Sequence, residues 1–205
     1  MTLTQEDRNH AVSTTNRFDA QDELSATLPN VVRNMLEEFS GRKKIPDLTL
    51  SLRRIKKICD YRNQQGSFSL EIDTRLTAEF SDYPYEASFS DELGPGQLKK
   101  ITQDYQSSYP IIKVSSDYFE NVVGYKTQRD SPENQRSHYL IVVAINDKTT
   151  LVYDPFASYF SNDTNTLMDP VEVDKQELIR CWRGELEVTD TLWVEQTNQR
   201  TLGEY

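Results

Sequence analysis

The stretch that most limits what this chain can become runs from Ser137 to Phe156. An apolar segment, Leu140-Ile141-Val142-Val143-Ala144-Ile145, follows His138 and Tyr139; an Asn146-Asp147-Lys148 turn then leads into Leu151-Val152-Tyr153, closed by Asp154-Pro155. This pattern predicts a β-hairpin whose first strand is buried. A hairpin sets the start of one strand beside the end of the other, so His138 and Asp154 come to lie on neighbouring strands. A carboxylate beside an imidazole fixes its tautomer and stabilises its charged form, which is how a histidine is prepared for acid–base work. The same stretch also reads as an ordinary core hairpin with a polar edge.

The flanking segments supply helices and further strands. Leu28, Val31, Val32, Met35, Leu36 and Phe39 recur at the spacing of one helix face, with Thr27 as the expected N-cap, Pro29 in the first turn and Gly41 as the stop. A second helix is signalled by Leu52, Ile55, Ile58 and Cys59 and ends near Gln64-Gln65-Gly66; Arg53, Arg54, Lys56 and Lys57 form its opposite face, read as solvated surface. Ser67 to Ile72 alternates like a strand, and Tyr83 to Phe89, with Pro84, reads as an edge strand or loop. Leu98, Ile101 and Tyr105 imply a short helix before a strand over Tyr109 to Val114. Residues 120–136 and 161–166 read as loops. Asp174 and Glu177 have the spacing of a capping box for a helix through Leu178, Ile179, Cys181 and Trp182 to Gly184, and Glu187 to Val194 is the last expected strand. Helices and strands interspersed in this way read as an α+β domain over residues 20–196. Residues 1–19, with a solvated His10, and residues 197–205 are expected as flexible polar tails.

Composition narrows the function. The chain of 205 residues carries 23 basic and 33 acidic side chains, a net charge of −10, and a field of that sign repels phosphate backbones, so no nucleic-acid partner is expected. No apolar run is long enough for a signal peptide or a membrane span, which makes the expected location cytoplasmic, without a membrane partner. Two cysteines and two histidines supply neither a disulfide framework nor a structural zinc site, and no metal or cofactor is expected. Cys59 and Cys181 sit on apolar helix faces and read as small core residues.

These residues together resemble the papain-like superfamily, and within it the cysteine peptidases that process double-glycine leaders of bacteriocins. The resemblance rests on His138-Tyr139 running into Val142-Val143, on Asp154-Pro155 sixteen residues after the histidine, on a helix ending in Trp182, and on Tyr109-Pro110-Ile111-Ile112. It implies a papain-like fold with N-terminal helices packed on an antiparallel sheet. The family's Cys-Gly-Pro nucleophile motif falls on Thr27-Leu28-Pro29, and the place of its oxyanion-hole glutamine on Gln21. His138 would then be the base and Asp154 its orienting partner.

Chemistry turns on residue 27. A cysteine beside an imidazole ionises readily, because its free pKa of about 8.5 is pulled lower by such neighbours. A threonine hydroxyl has no comparable anion, and threonine nucleophiles usually use their own α-amine at a chain terminus. Thr27 is internal, and Leu28 puts bulk where a substrate carbonyl oxygen would meet backbone N–H groups. Ser25 and Cys59 are the other candidate nucleophiles in the chain. Three functions follow: a degenerate papain-like domain holding a peptide or protein in the groove between the Thr27 helix and the His138 strand; a working peptidase or amidase using Thr27 or Ser25 with His138 and Asp154; or an interaction protein in which the two residues are only structural.

Overall fold

The computed structural model describes residues 3–15, 18, 26–62, 71–115, 137–155, 170–183 and 188–197. Gln21, Ser25, the loop expectations over 120–136 and 161–166, Gly66, Gly184 and residues 198–205 fall outside them. Helices α1 (Gln5–Thr15), α2 (Thr27–Lys43), α3 (Leu52–Ile58) and α4 (Ile72–Glu79) precede strand β1 (Tyr85–Ser90). Then come α5 (Pro95–Gln103), β2 (Ile111–Ser115), β3 (Ser137–Ile145), β4 (Thr149–Tyr153), β5 (Val171–Asp174), α6 (Lys175–Arg183) and β6 (Thr191–Gln196). The six strands form one sheet in the order β1-β6-β2-β3-β4-β5, antiparallel at every pairing. The α+β expectation holds.

Alternation along the strands sends side chains to two apolar layers. Ile111, Ile141, Val143, Leu151, Tyr153 and Val194 join the buried faces of α2, α3 and α4. Ile112, Leu140, Val142, Val152 and Val173 join Leu98 of α5 and Leu178, Cys181 and Trp182 of α6. The strands buried on both faces are therefore the continuous apolar runs, as period-2 burial demands. The turn between β3 and β4 is closed by Asn146, whose Oδ1 accepts the backbone N–H of Lys148 and of Thr149, each at 2.7 Å.

Several local expectations need correction. The polar N-terminal segment expected as a flexible tail contains α1, started by a reciprocal pair in which the Asp7 N–H donates to Thr4 Oγ1 at 3.1 Å and the Thr4 N–H to Asp7 Oδ2 at 2.8 Å. Ala11 is fully buried against the sheet, so one small side chain docks a helix with almost no apolar face. His10, expected to be solvated, is exposed but shares a hydrogen bond of 2.8 Å between Nε2 and the Tyr109 hydroxyl.

Thr27 is the first helical residue of α2 rather than its N-cap; Ala26 holds that position without a side-chain bond. The helix passes Gly41 and stops at Lys44, which adopts a left-handed conformation (φ 58°) while Lys44 and Ile45 N–H groups donate to Gly41 and Ser40 carbonyls. Ile72, read as the end of a strand, opens α4 instead; Ile72 and Leu76 are one turn apart and both buried, a pattern that six residues of alternation cannot distinguish from a strand. Strand β5 was not expected. It ends on Asp174, whose Oδ1 accepts the N–H of Gln176 at 2.8 Å and of Glu177 at 3.2 Å, so the predicted cap of α6 forms. At the β1 edge, the Thr77 hydroxyl accepts the Ala87 N–H at 2.9 Å and donates to the Ala87 carbonyl at 3.3 Å, covering an edge that would otherwise invite another strand.

Candidate active site

His138 is the second residue of β3 and Asp154 the first beyond β4. The antiparallel register sets Ile141 against Tyr153, which brings the entrance of one strand beside the exit of the other. His138 Nε2 and Asp154 Oδ1 lie 2.7 Å apart, and each residue is only 2% exposed. A carboxylate can only accept, so the ring N–H at Nε2 is the donor. With Nε2 committed to Asp154, any proton exchange with a nucleophile falls to Nδ1.

The third expected member, Thr27, is 6% exposed at the start of α2, and α2 packs on β3. Its helix carries a polar line that sequence reasoning missed. Thr27, Asn30 and Asn34, spaced three and four residues apart, are all buried. Asn34 Nδ2 donates to Asn30 Oδ1 at 3.1 Å and to the Tyr153 hydroxyl at 3.2 Å. Tyr153 immediately precedes Asp154, so this line ties α2 to the strand that holds the carboxylate. Burial, with the Asp154 charge behind it, pushes the Tyr153 phenol well above its ordinary value, keeping it neutral. The ring of Phe18 packs edge-on against it, centroids 4.8 Å apart at 74°. The signal was present as polar residues at helical spacing inside an apolar face.

The cysteines are not available for the chemistry. Cys59 is fully buried at the end of α3, and burial pushes its thiol up to about 12, with only a partial downward pull from the Arg75 charge. Cys181 is buried in the α6 layer beside Trp182. A migrated thiolate at Cys59 is thus contradicted by its surroundings. Among the described residues no group of three His, Cys, Asp or Glu side chains could hold a metal, and no helix is long and apolar enough to cross a membrane. A cavity of about 470 Å³ lies elsewhere, between α1, the end of α5 and the end of β3, and none of His138, Asp154 or Thr27 lines it.

No protein-family model matches the chain, and no curated protein matches it. Solved structures do. A candidate C39-like peptidase from Bacillus anthracis aligns with a TM-score of 0.55, over 89% of this chain and 96% of that one, at 11% identity. The chain has the papain-like C39 peptidase fold. Two further structures align less closely. The peptidase domain of Streptococcus ComA, a bifunctional ABC transporter of a quorum-sensing pathway, gives a TM-score of 0.47 at 13% identity, over 87% of this chain and 96% of that one. A double-glycine-motif protease from an AMS/PCAT transporter, solved with its leader peptide, gives 0.47 at 14% identity, over 88% and 91%. At the 11% identity of the Bacillus anthracis structure the fold is shared, while the reaction is decided by the site residues themselves.

Proposed function

We propose that this chain is a C39-fold domain that no longer performs cysteine-peptidase chemistry and instead holds a peptide or protein in the groove between the start of α2 and strand β3. The observation that carries this reading is the fate of the thiols: threonine stands at the head of α2, and both cysteines of the chain are buried in the core. A serine or threonine hydroxyl needs a base during attack. A general base must also come within hydrogen-bond reach of the proton it removes, and at this site that exchange would fall to His138 Nδ1. Gln21, as an oxyanion-hole remnant, belongs to the same proposal.

The alternative, a hydrolase using Thr27 or Ser25, is favoured by one observation: the His138–Asp154 pair is formed at 2.7 Å rather than dissolved. The test is to incubate the full chain with a diverse peptide library and with thiol- and hydroxyl-directed acylating probes. No turnover and no labelled Thr27 are expected, together with retention of a subset of peptides. Hydrolysis that disappears in His138→Ala would instead establish the alternative.

A further inference from the structure

Charge is distributed unevenly along this acidic chain. Seven of its 23 basic residues, and one of its 33 acidic residues, fall between Arg42 and Lys57, so the remainder is acidic by two to one. The segment covers the C-terminal end of α2 and all but the last residue of α3, and the two helices pack on one another. With α2 spanning seventeen residues, this end lies about 25 Å along the helix from Thr27, away from the His138–Asp154 pair.

Internal carboxylates neutralise only part of the cluster. Arg42 Nη2 lies 3.1 Å from Glu38 Oε2, and Arg54 pairs with Glu79. Lys43 Nζ donates to the neutral amide oxygen of Gln106 at 2.8 Å. Among the described residues, Lys44, Arg53 and Lys57 are exposed and have no carboxylate partner. Arg53 and Lys57 also stand one turn apart on α3, a like-charge spacing that costs a helix stability and so calls for a return. Burial, followed by the adjacent Arg42 charge, holds the Lys43 ammonium below its usual value, as expected where cations crowd. Aromatic surface adjoins the cations: the Tyr105 ring, 59% exposed, lies 4.2 Å from Lys43 Nζ and 5.5 Å from the Arg42 guanidinium.

We propose that the end of α2 and the outer face of α3 form a docking surface for an acidic, Asp- and Glu-rich segment of a partner protein. Size selects this occupant over other polyanions. The seven residues of α3 span only about 10 Å, and screening confines their potential to a Debye length of about 8 Å. A short acidic segment fits within that range. A nucleic acid or an anionic membrane extends far past it, onto a surface whose net charge of −10 repels it.

The test titrates the full chain into a fluorescein-labelled peptide of alternating Glu and Asp, read by anisotropy, at several salt concentrations. Matched probes are an oligolysine peptide, an oligothymidylate and vesicles of mixed phosphatidylcholine and phosphatidylserine. The acidic peptide is expected to bind saturably and to weaken with salt. Arg53→Glu with Lys57→Glu should weaken it at least about fivefold; both side chains are exposed, and the Gln variants at the same positions, expected to weaken binding less, guard against misfolding. Four results would overturn the proposal: no saturable binding of the acidic peptide; equal binding of oligolysine; tighter binding of oligothymidylate or vesicles; or self-association of the chain abolished by the same substitutions, which would make a second copy the occupant.

Discussion

Replacing Asp154 with alanine should be among the most damaging single changes to this domain, although the residue follows the end of a strand. Both members of the pair are 2% exposed and their atoms are 2.7 Å apart, so the alanine takes the Asp154 acceptor away from a buried imidazole donor. Breaking such a pair from one side costs about 3–5 kcal/mol, a large share of the 5–15 kcal/mol that holds a typical domain together. For a chain of this length each kcal/mol moves Tm by about 2–4 °C, so the expected fall is roughly 6–20 °C in a thermal melt followed by circular dichroism. His138→Ala together with Asp154→Ala should cost clearly less than the sum of the two, because the second change removes the stranded partner. Asp154→Asn then reads the protonation state: a loss near 1 kcal/mol marks a neutral imidazole that keeps its acceptor, and a loss equal to that of alanine marks an ion pair. A fall in Tm of under about 3 °C for Asp154→Ala, or strict additivity in the double variant, would refute the reasoning.

Three further outcomes follow from the same geometry. Both cysteines should resist a thiol reagent such as DTNB at pH 8 in the native protein and react fully in denaturant, since burial holds the Cys59 thiol near about 12 and Cys181 lies inside the α6 layer. Tyr153→Phe removes the hydroxyl that Asn34 reaches from α2 and should destabilise by about 1–3 kcal/mol in urea titration, with little change in the slope. The acidic edge of the α1 contact predicts a pH dependence. Arg8, first by hydrogen bonding, holds the Glu172 carboxyl below its ordinary value, and Thr4, first through its backbone N–H, does the same for Asp7. A depressed carboxylate stabilises the folded form above its unfolded pKa and loses that contribution as pH falls through the folded one, so hydrogen exchange in α1 should accelerate below about pH 4, ahead of exchange in β3.

Long-range pairing was legible where the sequence pattern was redundant. The hairpin carried two apolar runs, a turn with its own side-chain signal at Asn146, and a polar residue at each open end, so strand type and the His138–Asp154 juxtaposition could be read together, whereas the register shift between Val142 and Ala144 could not. The α2 face was equally plain, since its apolar spacing repeats for three turns. What stayed hidden depends on tertiary contacts that no local pattern announces. Helix α1 has almost no apolar stripe and is held by Ala11, by Arg8 reaching Glu172 on β5 and by His10 reaching Tyr109. Strand β5 is four residues long and only Val173 is fully buried, too little for alternation to register. The Asn30–Asn34–Tyr153 line was written in the helix but looked like polar interruptions, because its partner is a tyrosine more than a hundred residues away. Cys59 was rightly read as core from its place on the apolar face of α3.

The sharpest test of the proposed loss of cysteine chemistry at residue 27 is the reactivity of Thr27→Cys toward iodoacetamide as a function of pH, alongside wild type and Thr27→Cys/His138→Ala. On the proposed site, in which residue 27 faces His138, a cysteine at residue 27 should alkylate rapidly at pH 6, where a free thiol is almost wholly protonated, while the double variant shows ordinary thiol behaviour and wild type remains unlabelled. A Thr27→Cys protein as inert as buried Cys59, or a wild-type protein that already cleaves peptides in a His138-dependent way, would contradict it.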